Sequence, residues 1–119
     1  MSLNNVGVLL PKLLSVVIPV YNGEKYLQQT IQSVLNSRGA DFEVVVVNDG
    51  SADRTLEIAE TLARQNPRVN FQIFSQANQG ESAAINAGLV ASRGEYVMVL
   101  SADDLVSESL FAESEKFFP

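Results

Sequence analysis

Apolar residues gather in four β-rich stretches, "LLSVVIPV" (13–20), "FEVVVVN" (42–48), "VNFQIFS" (69–75) and "EYVMVLS" (95–101). The runs "VVVV" and "VMVL" are continuous rather than alternating, as expected of strands in a parallel sheet with helices over both faces. Between the strands the period lengthens. In "EKYLQQTIQSVLNS", Leu27, Ile31, Val34 and Leu35 fall at i, i+4, i+7 and i+8, one face of a helix, and Gly39 follows as its C-terminal stop. "DRTLEIAETLARQN" places Leu56, Ala59, Leu62 and Ala63 together, with Asp53 as N-cap and Pro67 beyond the end. "ESAAINAGLVASRG" is Ala-rich, presents Ile85 and Leu89 together and closes on Gly94.

The order β-α-β-α-β-α-β predicts an α/β fold: an open, mainly parallel, Rossmann-like sheet with helices on both faces. A chain of 119 residues suits one compact domain and shows no internal repeat. Residues 1–12 read as an N-terminal extension, in which "MSL" has the look of a cloning remainder, and residues 13–119 as the domain. The end, "SESLFAESEKFFP", begins a further amphipathic helix and stops on two Phe and a Pro. The domain is therefore expected to be cut there rather than finished, leaving a sheet edge through which copies of the chain would associate.

Composition narrows the chemistry. Hydrophobic residues make up 46%, enough for a layered core. Eight basic against fourteen acidic residues give a net charge of -6, and no Lys/Arg cluster offsets it. That balance argues against a nucleic-acid partner or an anionic membrane surface. With neither Cys nor His, thiolate nucleophiles, Ser-His-Asp triads and Cys/His zinc sites are excluded within the chain. Any metal must be held by oxygens, which favours Mg²⁺ or Mn²⁺. The N-terminus has too short an apolar stretch to span a membrane and no signal-peptide layout. A cytoplasmic domain, or one at the cytoplasmic face of a membrane, is expected.

In open α/β sheets ligands sit beyond the carboxyl ends of the strands. Those ends read "PVYNGEKY", "NDGSADRT", "SQANQGES" and "SADDL". The dinucleotide fingerprint G-x-G-x-x-G and the P-loop do not occur. Pro19 closes the first strand, Tyr21 supplies an aromatic face and Asn22-Gly23 a turn, a set that by itself fits a plain strand exit. Asp49, ending a buried strand, is either a turn residue of Asp-Gly or an acceptor for the imide N–H of a uracil ring. The pair Asp103-Asp104 is the sharpest local signal. At an effective dielectric of about 20, two charges about 4 Å apart repel by roughly 4 kcal/mol, so a partly shielded pair calls for hydrogen-bond donors or a cation. One of the two serves as a helix cap, or both form a hard oxygen site in which one or two carboxylates and substrate phosphates hold the ion.

Taken together, "SVVIPVYNGEKYLQQTIQSVL", "FEVVVVNDGSADRTLEI", "NQGESAAINAGLVASRGEY" and "VLSADDL" resemble, in order and spacing, the N-terminal half of the family 2 glycosyltransferases, of GT-A-type fold. The resemblance runs from about Leu14 to the C-terminus. It implies inverting transfer of a sugar from a nucleotide-diphosphate donor, a UDP-sugar by preference, to an acceptor that is a saccharide, lipid or protein. It also implies that Pro19, Tyr21 and Glu24 border the nucleoside and that Asp49 takes the base N–H. Asp103 would bind the donor ribose, and Asp103 and Asp104 the Mg²⁺ or Mn²⁺ that bridges the diphosphate.

Three departures accompany it. Ser101 stands where the family's acidic motif often has its first Asp, and Ile85 where a basic residue is usual. The general base lies, in relatives, after the acidic motif, so it is expected beyond Pro119 and the acceptor half is expected to be missing. Glu108, Glu113 and Glu115 read as a solvated helix face. A non-catalytic nucleotide-binding module is the alternative function. A nucleotidyltransferase is a weaker one, because "PVYNGEKY", with one Lys, lacks the Gly- and basic-rich first loop such an enzyme uses.

Overall fold

The computed structural model describes residues 2–3, 9–10, 13–37 and 41–103. Gly39, Asp104 and the expected helix near Val106 with Glu108, Glu113 and Glu115 lie outside them. Two short strands, β1 (Ser2–Leu3) and β2 (Leu9–Leu10), pair antiparallel in the N-terminal extension. The domain then runs β3 (Leu13–Val20), α1 (Leu27–Leu35), β4 (Asp41–Asp49), α2 (Thr55–Gln65), β5 (Asn70–Gln76), α3 (Glu81–Ala91) and β6 (Tyr96–Val99). The four long strands form one all-parallel sheet in the order β5-β4-β3-β6. Strand order thus reverses at β3. The α/β class, the open parallel sheet and helices on both faces are all present.

Burial follows position in the sheet. β3 and β4 are central and almost wholly buried. On one face Leu14, Val16, Ile18 and Val20 of β3 join Val44 and Val46 of β4 beneath α1 and α2. On the other, Val17, Val45 and Val47 pack under Ala84 of α3. The α1 stripe is as expected, with Leu27, Ile31 and Val34 buried and Leu35 packed beside them.

Several expectations change. In α2 the inward residues are Thr55, Ile58, Ala59 and Leu62, so the stripe is rotated away from Leu56 and Ala63. In α3, Ala84 and Gly88 face the sheet and Leu89 is exposed, because the helix lies too close to β3 to admit large side chains. "VMVL" is covered on one face only. Tyr96 and Met98 join the core, while Val97 and Val99 are exposed, since α3 packs over β3 and β4 and leaves the edge strand β6 uncovered. Gly94 is not a helix stop; its N–H donates to Ser15 Oγ (2.8 Å) and ties the α3–β6 link to β3. Among the described residues no helix is long and apolar enough to cross a membrane.

Candidate functional site

The carboxyl ends of β3, β4 and β6 open on two adjoining clefts that share Pro19, Val20, Tyr21 and Glu81. One, of about 180 Å³, is completed by Asp49 and Ala84. The other, of about 250 Å³, is completed by Asn22, Gly23, Tyr26 and the residues Ser101, Ala102 and Asp103 after β6. The second spans β3 and β6, where strand order reverses, the place open α/β sheets reserve for ligands. Pro19, Tyr21, Asp49 and Asp103 are therefore brought together along one continuous surface.

Glu24 is not part of it. Its Oε2 accepts from the N–H of Arg54 (3.2 Å), and its own N–H donates to Asp53 Oδ2 (3.2 Å). These bonds belong to a latch between the β3–α1 and β4–α2 loops. Asn22 N–H donates to Ser51 Oγ (2.8 Å), Asn22 Oδ1 accepts from Ala52 N–H (2.8 Å), and Gly23 N–H donates to Thr55 Oγ1 (2.9 Å). Asn22, at φ 52°, takes the left-handed conformation that Asn tolerates better than most residues, and so aims both of its groups across the gap. The N-cap of α2 is Arg54 rather than the expected Asp53, which stands one residue earlier and accepts the N–H of Thr55 (3.0 Å) from there. Burial pushes the Asp53 carboxyl up, but the Thr55 hydroxyl, its N–H and the Glu24 N–H outweigh that and hold the pKa below the usual range.

Asp49 is enclosed from the β5 side. It is the register partner of Gln76, whose Nε2 donates to Oδ1 (3.0 Å). The loop after β5 folds over it, so that Gln79 N–H donates to Oδ1 (2.8 Å) and Gly80 N–H to Oδ2 (3.0 Å). Asn78 Nδ2 bonds the Asp49 carbonyl (3.2 Å). Gly80 sits at φ 99°, ψ 165°, a conformation open essentially to glycine alone, and this delivers its N–H to the carboxylate. The bond from Gln76 first, then that from Gln79, hold the Asp49 carboxyl below the ordinary aspartate range, with burial opposing and Gly80 adding to the effect. Asp49 is thus an ionised acceptor beside the exposed ring of Tyr21 and the flat face of Pro19. That set suits a planar ring carrying an N–H.

The acidic end of the site is held by a residue the hydrophobic pattern concealed. Thr30, buried in α1, donates its hydroxyl to the carbonyl of Ala102, pinning the residue between Ser101 and Asp103. Ser101 and Asp103 are both exposed to the second cleft. Asp104 lies outside the described residues. Glu81, missed in the sequence, lines both clefts. Its signal was position: an acidic residue opening a helix directly after a strand end. Ile85 is half-buried and lines neither cleft.

A family model described as "Glycosyl transferase family 2" matches residues 15–114. A Bacillus subtilis protein named uncharacterized glycosyltransferase EpsJ is 40% identical over 99 residues, which cover 83% of this chain and 28% of that protein. A chondroitin synthase from Pasteurella multocida is 42% identical over 92 residues, 77% of this chain and 9% of the synthase. Among solved structures, S. aureus TarS 1-349 in complex with UDP-GlcNAc superposes with a TM-score of 0.79 at 31% identity, over 87% of this chain and 30% of that one. A Pyrobaculum calidifontis mannosyltransferase in complex with GDP-Man and Mn²⁺ shares the fold, with a TM-score of 0.82 at 24% identity over 89% of this chain and 32% of that one. The chain therefore spans about a third or less of each of these proteins. With the family model covering most of its length and the parallel sheet matching, the chain belongs to glycosyltransferase family 2.

Proposed function

We propose that these residues bind the nucleotide of a nucleotide-diphosphate sugar, a UDP-sugar by preference, for metal-dependent, inverting transfer to a saccharide, lipid or protein acceptor in cell-wall or polysaccharide synthesis on the cytoplasmic side. The observation that carries the proposal is Asp49, held ionised at the floor of a cleft walled by Pro19 and Tyr21. An anionic acceptor there takes the imide N–H of uracil and repels the ring nitrogen lone pair that cytosine offers at the same position. Tyr21 gives the base a face to stack on. The support from relatives is that TarS has been solved with UDP and with UDP-GlcNAc. Glu24, exposed and engaged in the loop latch, supports the cleft from outside rather than bordering the nucleoside.

Ser101 and Asp103 present the second cleft with a hydroxyl and a carboxylate. Among the described residues no three acidic side chains converge. Such a donor set fits Mg²⁺ or Mn²⁺, which take one or two carboxylates and complete their shell with substrate phosphates. In the proposal Asp103 and Asp104 hold the ion, and Ser101 and Asp103 face the ribose. When bound, the ion supplies Lewis-acid stabilisation of the departing nucleotide diphosphate. It also supplies the positive charge that a chain of net charge -6 does not. Deprotonation of the acceptor is assigned to none of the described residues and belongs in the proposal to chain beyond Pro119. Self-association along the exposed edge of β6 is part of the same proposal.

Calorimetry with UDP tests it. UDP with Mn²⁺ is expected to bind at least several-fold more tightly than UDP with EDTA, and Asp103→Ala to erase the difference. Equal affinity with and without the ion overturns the metal role. No binding of UDP under either condition overturns the nucleotide reading.

A further inference from the structure

Asp49 is the group the proposed function relies on to read the base, yet most of its acceptor capacity is already used inside the chain. A carboxylate offers about four acceptor positions over its two oxygens. Oδ1 receives Gln76 Nε2 and Gln79 N–H, and Oδ2 receives Gly80 N–H. Among the described residues the Asp49 carboxylate has no other partner, so one acceptor position, on Oδ2, is left for the cleft it lines. Two of the three donors are main-chain groups of the β5–α3 loop. The third is a side chain, Gln76, on the strand directly beside β4 and in register with Asp49. β4 lies between β5 and β3, so a bond toward β5 on Oδ1 fixes the plane of the carboxylate about its last side-chain torsion.

We infer that Gln76 is a positioning residue for base recognition: it holds Asp49 so that a single carboxylate oxygen meets the cleft, which makes the site selective for a base edge with one N–H donor. Uracil and thymine present one such donor between two carbonyls. Guanine presents two adjacent donors on its pairing edge and seeks both oxygens of a carboxylate, one of which is saturated here. The inference rests on the proposed nucleotide site, and it adds a residue outside the cleft lining that sets the choice of base.

The test compares UDP with its N3-methyl analogue, and with GDP, on the whole 119-residue protein by calorimetry. The native protein is expected to prefer UDP over the analogue by on the order of tenfold to a hundredfold, the range for a hydrogen bond to a charged group. Gln76→Met keeps length and removes the donor, and Gln76→Asn withdraws it by one methylene. Each is expected to cut the preference for UDP over the analogue to a few-fold and to narrow the gap between UDP and GDP. Affinity for the N3-methyl analogue and the thermal midpoint should be nearly unchanged. A preference as large in both variants as in the native protein overturns the inference while leaving the nucleotide site intact. An equal loss for all three nucleotides makes Gln76 merely structural and also overturns it. No preference in the native protein removes Asp49 as the base reader, and the proposed function fails first.

Discussion

Two buried carboxylates stand on one strand, six positions apart and facing the same side of the sheet: Glu43 near the start of β4 and Asp49 at its end. Only Asp49 lies where open α/β sheets bind ligands. Glu43, at the opposite end, is 1% exposed and lies away from either cleft, accepting from Ser15 Oγ (2.6 Å), Arg93 N–H (2.6 Å) and Gln72 Nε2 (3.0 Å). It ties β3, β5 and the link into β6 together. Burial pushes its carboxyl up, but the bonds from Ser15, Arg93 and Gln72 outweigh that and hold it below the usual glutamate range. The folded state therefore binds fewer protons here than the unfolded chain. The stabilisation is complete above the unfolded glutamate pKa and is lost as pH falls through the lower, folded one. Glu43→Gln is expected to cost about 1–3 kcal/mol at neutral pH, because the new amide meets donors with a donor. It should also flatten the loss of stability on acidification below about pH 5. Urea unfolding across a pH series measures both, and an unchanged slope would show that Glu43 carries no linked proton.

At the scale of elements, α3 shows how packing overrode the hydrophobic pattern. Ile85 and Leu89 were the large apolar residues of its sequence, yet the helix turns Ala84 and Gly88 to the sheet. A Cβ built on Gly88 would lie 2.3 Å from Val17 Cγ1, and Val17 is fully buried. The close approach is what places Ala84 and Glu81, one and two turns earlier, against the cleft that Asp49 closes. Gly88→Ala gains about 1 kcal/mol of helix propensity. Overpacking a buried β-branched residue costs typically about 1–3 kcal/mol, so a net destabilisation on the order of 1 kcal/mol is expected. Chemical denaturation decides the sign, and a stabilised variant would mean that α3 moves off the sheet freely. α1 and α2, by contrast, kept broad apolar faces, and their stripes were legible to within one helical position.

At the scale of the whole molecule, the main sheet of the described residues has two unequal edges. β6 leaves Val97 and Val99 exposed on the face that α3 covers only over β3 and β4, beside a strand edge that no described residue pairs. Exposed apolar edges of this kind template further pairing. Concentration-dependent association is expected in light scattering, and Val97→Lys with Val99→Lys should reduce it. A strictly monomeric profile at high concentration would refute the edge as an interface. What the sequence by itself determined was, the short β1 and β2 apart, the class of each element from β3 to β6, the β-α alternation and the four strand-end segments that carry Pro19, Tyr21, Asp49 and Asp103. These follow from periodicity and turn chemistry within a few residues, which act wherever the chain goes. Tertiary structure alone decided which face of α3 lies inward, that Glu24 joins a latch rather than the cleft, and that Thr30 holds the acidic loop. It also decided that Gln76 and Gly80 cage Asp49. The face of α3 depends on Gly88 closing on Val17, and the others on groups 27 to 72 positions apart meeting at hydrogen-bond distance, and only the closed sheet brings them there.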